Sequence, residues 1–277
     1  MACSICLAGP ADFDGWRAAA RGLLAAGIAP EAVSWPGQDG AAGLFDGAAP
    51  DLPRDAPSPA VPRDFLVQAE LAIRHSDPER FALLYGLLWD ARRRPGLLRT
   101  PTEARMARLA AMARAVRRDA HKMHAFLRFR EVETPDGVRS VAWFEPEHHI
   151  VEAEAGFFER RFAALRWSIL TPRRCAHWDG AVTTFTAGAH RAEAPAADAA
   201  EDLWRTYFAS IFNPARLKPE AMRAEMPKKY WRNLPEATVI PELLRGAEGR
   251  ERAMLGQAIA APGRRQRRRP SGAGTAG

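Results

Sequence analysis

Apolar positions recur at helical spacing through the first half of the chain, which predicts a series of amphipathic helices. The first covers residues 12–28 and ends at Gly27, and a short strand is expected near Trp35. A later helix opens after Asp77-Pro78-Glu79, which reads as an N-cap followed by proline at the first helical position. The apolar residues of the next three helices are, in order, Phe65, Leu66, Ala69 and Ile73; Phe81, Leu84, Tyr85 and Leu88; and Met106, Leu109, Met112, Ala113 and Val116.

The pattern changes to strict alternation after residue 125, which predicts a first β-hairpin. Phe126, Arg128 and Arg130 would share one face of its outgoing strand, and residues 138–144 would form the return strand after Pro135-Asp136-Gly137. The histidines at 121, 124, 148 and 149 would gather at this hairpin. A helix over residues 152–169 is expected next, with a stripe of Phe158, Phe162, Leu165 and Ile169. A second hairpin around Asp179-Gly180 and a helix over residues 197–212 would follow.

These elements predict an α+β fold, a mainly helical single domain with a small antiparallel sheet built from two β-hairpins. Residues 1–35 read as a small N-terminal element, and residues 36–62 are rich in Pro, Gly and Ala, as linkers are. The α+β domain is expected over residues 63–256. Residues 257–277 form an Arg-rich tail whose composition is typical of a disordered arm.

The bulk composition indicates a soluble globular protein rather than a membrane or disulfide-rich one. Hydrophobic residues make up 47% of the 277, yet no apolar run approaches the roughly 20 residues that a membrane span needs. The N-terminus has no signal-peptide pattern, so we expect a bacterial-type cytoplasmic protein without membrane association. Three cysteines, Cys3, Cys6 and Cys175, are too few for an all-cysteine zinc or iron–sulfur site. No cofactor and no metal are predicted.

The net charge of +7 is concentrated in one region of the chain. Between Arg92 and Arg130, twelve Arg and Lys residues are opposed only by Glu103 and Asp119. Segregated positive charge attracts a phosphate backbone through counterion release, and DNA is therefore the expected partner. The alternative is that these arginines form ordinary solvated helix faces in a sequence of high-GC bias.

A second block, residues 218–236, places cations beside Tyr230 and Trp231. Cations next to aromatic rings hold single-stranded or distorted nucleic acid by stacking. The same two rings could instead be core residues with the lysines in water. Taken together, the predicted nucleic-acid-binding residues are Arg117, Arg118, Lys122, Phe126, Arg128, Arg130, Lys228, Lys229, Tyr230, Trp231 and Arg232.

The histidines offer candidates for catalysis. His121, His124, His148 and His149, with Asp179 at the second turn, are the candidate catalytic residues. Converging His and Glu side chains can relay protons, but they can equally contact phosphate or serve structure. The spacing of His121 and His124 before a predicted strand is not a zinc signature. Phosphate-binding glycine loops, nucleophile elbows and dinucleotide fingerprints are absent from the sequence.

Several longer motifs resemble a known family. They are the stretches 118–126, 143–149, 178–180, 211–217 and 226–235, which read RDAHKMHAF, WFEPEHH, WDG, IFNPARL and MPKKYWRNLP. These strings are similar to those of bacterial DNA-metabolism proteins that carry the domain of unknown function numbered 4130. The resemblance runs from about Arg63 to Met254. In that family the domain occurs alone or ahead of a uracil-DNA glycosylase module, and stand-alone members accompany a radical SAM protein.

The resemblance implies a role in DNA repair or uracil-DNA handling, without an established mechanism. The sequence after Met254 carries no glycosylase module, so glycosylase activity is not expected of this polypeptide. We therefore expect a DNA-binding accessory protein of base-excision-related repair. Two alternatives are an enzyme acting on damaged DNA through the His/Glu residues, and an adaptor that docks a uracil-DNA glycosylase or radical SAM partner.

Overall fold

The computed structural model describes residues 3–36, 52–53, 59–134, 137–194, 228–231 and 234. The chain divides into two compact units, residues 1–196 and residues 197–277. Several predicted features lie outside the described residues. They are the helix over residues 197–212, the motif at 211–217, most of the linker at 36–62, the Pro135-Asp136 turn and the tail at 257–277.

The helices of the first unit follow the apolar stripes of the sequence. They are α1 (Phe13–Ala25), α2 (Arg63–Ile73), α3 (Arg80–Ala91), α4 (Ala104–Phe126) and α5 (Val151–Arg161). Asp12 caps α1 by accepting the N–H of Gly15 at 2.8 Å, and Glu103 caps α4 by accepting the N–H of Met106 at 3.0 Å. The structure therefore confirms the predicted helices at residues 12–28, 65–73 and 81–88.

A single buried cluster joins the N-terminal residues to α2, α3 and α4. Trp16 of α1, Phe65 of α2, Leu84 of α3 and Leu109 of α4 all belong to it. Tyr85 lies in the same cluster and donates its hydroxyl proton to the carbonyl of Ile28. Burial raises the pKa of Tyr85 to about 12, so the hydroxyl stays a donor well above neutral pH. The predicted domain boundaries at residues 35 and 62 stay predictions, since shared packing does not show which segments fold independently.

Two sheets complete the first unit. A short parallel pair joins β1 (Cys3–Ser4) to β2 (Val33–Ser34). The larger sheet contains β3 (Arg130–Thr134), β4 (Gly137–Trp143), β5 (Trp167–Leu170), β6 (Arg174–Trp178) and β7 (Thr183–Ala187), in that spatial order. β3–β4, β5–β6 and β6–β7 are antiparallel pairs.

The larger sheet is mixed, because β4 and β5 run parallel with Ser140 opposite Trp167. The α+β class is confirmed, but the prediction of an antiparallel sheet is wrong at this pair. The reason is that α5 carries the chain from the end of β4 back to the start of β5, and such a crossover joins parallel strands.

The predicted helix over residues 152–169 is wrong in its second half. α5 ends at Arg161, and the last predicted helical residues form β5. Leu165, expected in the core, is 41% exposed, whereas Trp167, Ser168 and Ile169 are all buried. A central strand that is buried on both faces shows no alternation, so its sequence reads like the end of a buried helix.

The predicted hairpin strand at residues 126–130 is also wrong in its first part. α4 continues to Phe126, and Met123 is buried seven residues after Val116, on the same helical stripe. His121, Lys122 and His124 therefore lie on a helix, and β3 begins only at Arg130. The alternation that suggested a strand comes in part from the extended connection at residues 127–129, between α4 and β3.

None of the helices in the described part of the chain is long and apolar enough to cross a membrane.

The turn after β7 depends on a glycine with no room for a side chain. A Cβ at Gly188 would lie 2.0 Å from the carbonyl oxygen of Pro172, and that oxygen belongs to the backbone. We expect Gly188→Ala to lower the free energy of unfolding by about 1–3 kcal/mol, the usual cost of overpacking. Urea unfolding measures this loss of stability. Gly9→Ala is the control, because a Cβ at Gly9 meets nothing within 4 Å. Equal stability of the two variants would contradict the packing argument.

Candidate nucleic-acid interface and histidine cluster

One exposed side of α4 carries arginines and no acid. Arg114, Arg117 and Arg118 are exposed. Arg117 and Arg118 follow Arg114 by three and four residues, which places all three together on the helix surface. We call these three residues the basic stripe. Asp119 is the only acidic residue of α4, and it is 3% exposed because it points into the protein. The helix thus separates its charges, with cations outward and the carboxylate inward.

Two other arginines of α4 have their charge compensated by acids. Arg105 lies 2.6 Å from Asp90 and 3.3 Å from Glu103. Arg108 lies 2.7 Å from Asp77 and 2.6 Å from Glu79. In the described part of the chain, no ion pair involves the basic stripe. The first third of α4 is therefore locally balanced in charge, and the surplus begins at Arg114.

The remaining predicted nucleic-acid-binding residues near α4 differ in accessibility. Lys122, Phe126 and Arg130 are half-buried. Arg128 turns its guanidinium back onto the end of α4, where Nη1 donates to the carbonyls of Ala125 at 2.7 Å and Leu127 at 3.1 Å. These carbonyls are among those that a helix end leaves without partners, so Arg128 supports the helix terminus. Among the predicted contacts whose side chains the structure describes, Arg117 and Arg118 are the most accessible.

In the second unit, Lys228–Trp231 form a short helix, α6. Tyr230 is 2% exposed, so its ring is not available for stacking on a base. Trp231 is half-buried. The side chains of Lys228 and Lys229, and all of Arg232, lie outside the described residues.

The buried carboxylate of Asp119 organises the loop after β4. Its Oδ2 accepts the backbone N–H groups of Glu147 at 2.8 Å and His148 at 2.9 Å. A carboxylate that accepts two N–H groups fixes the backbone there, since each bond to a charged acceptor contributes about 1.5–3 kcal/mol. His148 is consequently held in a buried position, with 6% of its surface exposed.

His148 meets the turn between α2 and α3. Its Nδ1 accepts the backbone N–H of Ser76 at 3.3 Å and lies 3.2 Å from the Ser76 hydroxyl oxygen. The ring of His75 lies beside it, with centroids 4.2 Å apart. Buried Arg80 fixes the same turn, because it donates to the carbonyls of Ile73 at 2.7 Å and Asp77 at 3.0 Å. We call His75, Ser76 and His148 the histidine cluster.

The hydrogen bonds assign the tautomers of both rings. Nδ1 of His75 accepts the N–H of Asp77 at 3.0 Å, and Nδ1 of His148 accepts from Ser76. Each neutral ring therefore carries its proton on Nε2. Burial lowers the pKa of His75, and the charges of Arg80 and Arg108 lower it further against the opposing effect of Asp77.

The other predicted catalytic histidines have different neighbours. His124 Nε2 lies 2.8 Å from Glu154 Oε2, and its ring stacks on Phe157 with centroids 3.8 Å apart. His121 is exposed on α4, and the backbone N–H of His149 donates to the carbonyl at residue 74. His148 packs against the α2–α3 turn while His124 packs against α5, so the four histidines do not form the expected single site.

Asp179 has a structural role in the second hairpin. Its Oδ1 accepts the N–H groups of Val182 and Ala181, each at 2.8 Å, and these bonds lower the pKa of the carboxyl. Nearby, His177 bridges the hydroxyls of Ser168 and Thr186, each at 2.9 Å. Burial lowers the pKa of His177, and Arg139 lowers it further.

Sequence reasoning missed His75, Ser76 and Arg80. Ser76 and His148 are 72 positions apart, so no local pattern connects them. The available signal was the pair His75-Ser76 directly before the Asp77-Pro78 helix start, where a polar turn lies next to a helix N-terminus. Among the described residues, no group of three or more His, Cys, Asp or Glu side chains could hold a metal ion.

The first unit is thus an α+β unit with a mixed sheet, a cationic helix face and a buried Asp119. The chain belongs to the family described as a domain of unknown function, DUF4130, whose model matches residues 78–236. The resemblance seen in the sequence motifs is confirmed. Neither the curated proteins nor the solved structures contain a match to this chain.

The lowered pKa values of His75 and His177 predict a stability that depends on pH. Their folded pKa lies below the ordinary value of 6.5, so below about pH 6.5 the unfolded chain binds more protons than the folded one. The stability that neutral imidazoles contribute is present above that pH and is lost as the pH falls. We expect the urea midpoint to decrease from pH 7.5 toward pH 5, about the range where histidine titrates.

His75→Gln and His177→Gln should each make that decrease shallower. Their stabilities at about pH 8, where the imidazoles are neutral in both states, report the change in packing alone and serve as the reference. An unchanged pH dependence in both variants would contradict the assignment.

Proposed function

We propose that this protein binds DNA and acts as an accessory protein in DNA repair of the uracil or base-excision type. The observation that carries the proposal is the basic stripe, three exposed arginines on a helix whose only acid is buried. Neutralising DNA phosphates releases condensed counterions, and that release drives binding without any requirement for base contacts. The repair context rests on the family's domain architecture, which also makes a glycosylase or radical SAM protein a proposed partner.

The arrangement of α4 suits backbone contact better than base readout. Arg114 and Arg118 are one helical turn apart, so their guanidinium groups can reach neighbouring phosphates of one strand. Arginine forms bidentate bonds with phosphate oxygens, which gives geometry as well as charge. Contacts of this kind position a protein on DNA and carry no sequence information of their own.

The basic stripe predicts a measurable salt dependence. We expect the slope of log affinity against log salt to become shallower by about 1.8 in Arg114→Gln/Arg118→Gln, because each duplex phosphate that is no longer neutralised removes about 0.9 from the slope. Fluorescence anisotropy with single-stranded, duplex and uracil-containing DNA measures this slope. The control is Arg160→Gln/Arg161→Gln, which removes two neighbouring exposed arginines from the end of α5.

The first measurement is DNA binding by the wild-type protein. Tight, salt-dependent binding to one of the DNA forms supports it, and equal slopes in the two variants would remove the basic stripe from the interface. Weak binding that ignores DNA length, together with tight binding to a purified glycosylase, would favour the adaptor function instead.

A second candidate function is catalysis on damaged DNA at the histidine cluster. The observation that favours it is the distance of 3.2 Å between the Ser76 hydroxyl oxygen and Nδ1 of His148. Ser76 is exposed, whereas His148 is buried and held by Asp119, so an accessible hydroxyl meets a fixed base. To act as a general base, Nδ1 of His148 would give up the bond that it accepts from the Ser76 backbone N–H and take the proton of the Ser76 hydroxyl or of a water molecule bound there.

If the histidine cluster is catalytic, substitutions in it should reduce turnover without weakening DNA binding. We expect Ser76→Ala and His148→Gln to reduce any processing of uracil-containing DNA, followed on a denaturing gel, by about 100-fold or more. Their DNA affinity should stay within about two-fold of wild type, since neither residue belongs to the basic stripe. His190→Asn, a change in an exposed turn far along the chain, is the control. Turnover that survives both substitutions would exclude the histidine cluster.

A further inference from the structure

We infer that the loop between α3 and α4 is a second DNA-backbone contact, which works together with the basic stripe. Residues 92–99 read Arg-Arg-Arg-Pro-Gly-Leu-Leu-Arg and contain no acid. We call them the arginine loop. The inference rests on the proposed DNA-binding function and adds a second site that extends the length of DNA the protein contacts.

The arginine loop keeps its cations in solvent. Arg93, Arg94 and Arg99 are exposed, and no ion pair between described residues involves them. Arg92 is exposed as well, and its guanidinium carbon lies 4.6 Å from the ring centroid of Trp89. Such a cation over an aromatic ring presents a flat, charged surface, which is suited to phosphate and sugar groups.

The backbone of the arginine loop is held in place by its apolar residues. Leu97 and Leu98 are 4% and 8% exposed and belong to the main buried cluster. Gly96 has φ of +93°, a conformation that glycine adopts without strain, and it reverses the chain before the two leucines. The hydroxyl of Thr100 donates to the Gly96 carbonyl at 3.0 Å. Because the loop is fixed before binding, ordering it costs little when DNA binds.

The spacing of the two sites sets a length requirement. The arginine loop ends five residues before α4, and the axis of α4 rises roughly 21 Å between Ala104 and Arg118. At 3.4 Å for each base pair, that rise corresponds to about 6 base pairs. The inference requires that both sites face one duplex: a shorter duplex would then occupy one site at a time, whereas a longer one would occupy both and gain affinity from the rigid connection.

The test compares hairpin-capped duplexes of about 4 and about 20 base pairs across a salt series, because about 4 base pairs are shorter than the spacing of the two sites. Arg93→Gln/Arg94→Gln is set against Arg160→Gln/Arg161→Gln, so that both variants lose two neighbouring exposed arginines. On the long duplex we expect the salt slope of the first variant to fall by about 1.8 while the control keeps the wild-type slope. On the short duplex its affinity should fall at most about two-fold, since one of two alternative sites is removed.

A charge-conserving variant separates phosphate neutralisation from a change in folding. Arg93→Lys/Arg94→Lys should retain the wild-type salt slope on the long duplex, because counterion release depends on charge. A slope reduced as far as in the glutamine variant would overturn the inference.

The outcomes distinguish the inference from the proposed function. If the wild-type protein binds neither duplex, the proposed function fails. If it binds and Arg93→Gln/Arg94→Gln matches the control on the long duplex, the arginine loop is not part of the interface. Tighter binding of the wild-type protein to polyglutamate than to either duplex would overturn the inference in favour of an acidic protein partner.

Discussion

The rest of the site depends on the hydrogen bonds between buried Asp119 and the loop after β4. One carboxylate oxygen accepts two backbone N–H groups of the loop after β4, so α4 and the sheet cannot shift independently. A buried carboxylate without such bonds would cost several kcal/mol, so these bonds, together with the buried apolar stripe from Met106 to Met123, fix the rotation of α4 and the path of the loop. The exposed arginines of α4 and the position of His148 are both consequences of that rotation.

The same constraint explains why the basic stripe and the histidine cluster lie on different parts of the first unit. Arg105 and Arg108 point toward Asp90 and Asp77, on or before α3, and are balanced there. Farther along α4 the basic stripe forms no ion pair with a described residue, and it remains exposed. The histidine cluster lies instead where the loop after β4 contacts the α2–α3 turn, with buried Arg80 supporting it. Binding to the DNA backbone and acid–base catalysis would therefore be separable functions, each with its own residues.

Sequence patterns were sufficient where an element is amphipathic. The helices α1 and α2 have one apolar side, so periodicity located them, and Asp12 marks the start of α1. The apolar run of α3 was located as well, but the predicted cap at Asp77 was wrong, because α3 begins at Arg80. The same reasoning failed at Trp167–Leu170, because a strand buried on both faces shows no period of two. It failed again at residues 121–126, where Met123 continues the stripe of α4 but the neighbouring histidines are weak helix formers.

The sequence by itself determined the α+β class, the family, most helices and the concentration of cations in residues 92–130. Only the tertiary structure decided which cations are exposed, since an ion pair such as Arg108 with Asp77 joins residues 31 positions apart. It also decided that His148 belongs with His75 and Ser76, and not with His124. The physical reason is that periodicity reports local burial, whereas a site forms from contacts between distant segments, and those depend on how the helices pack against the sheet.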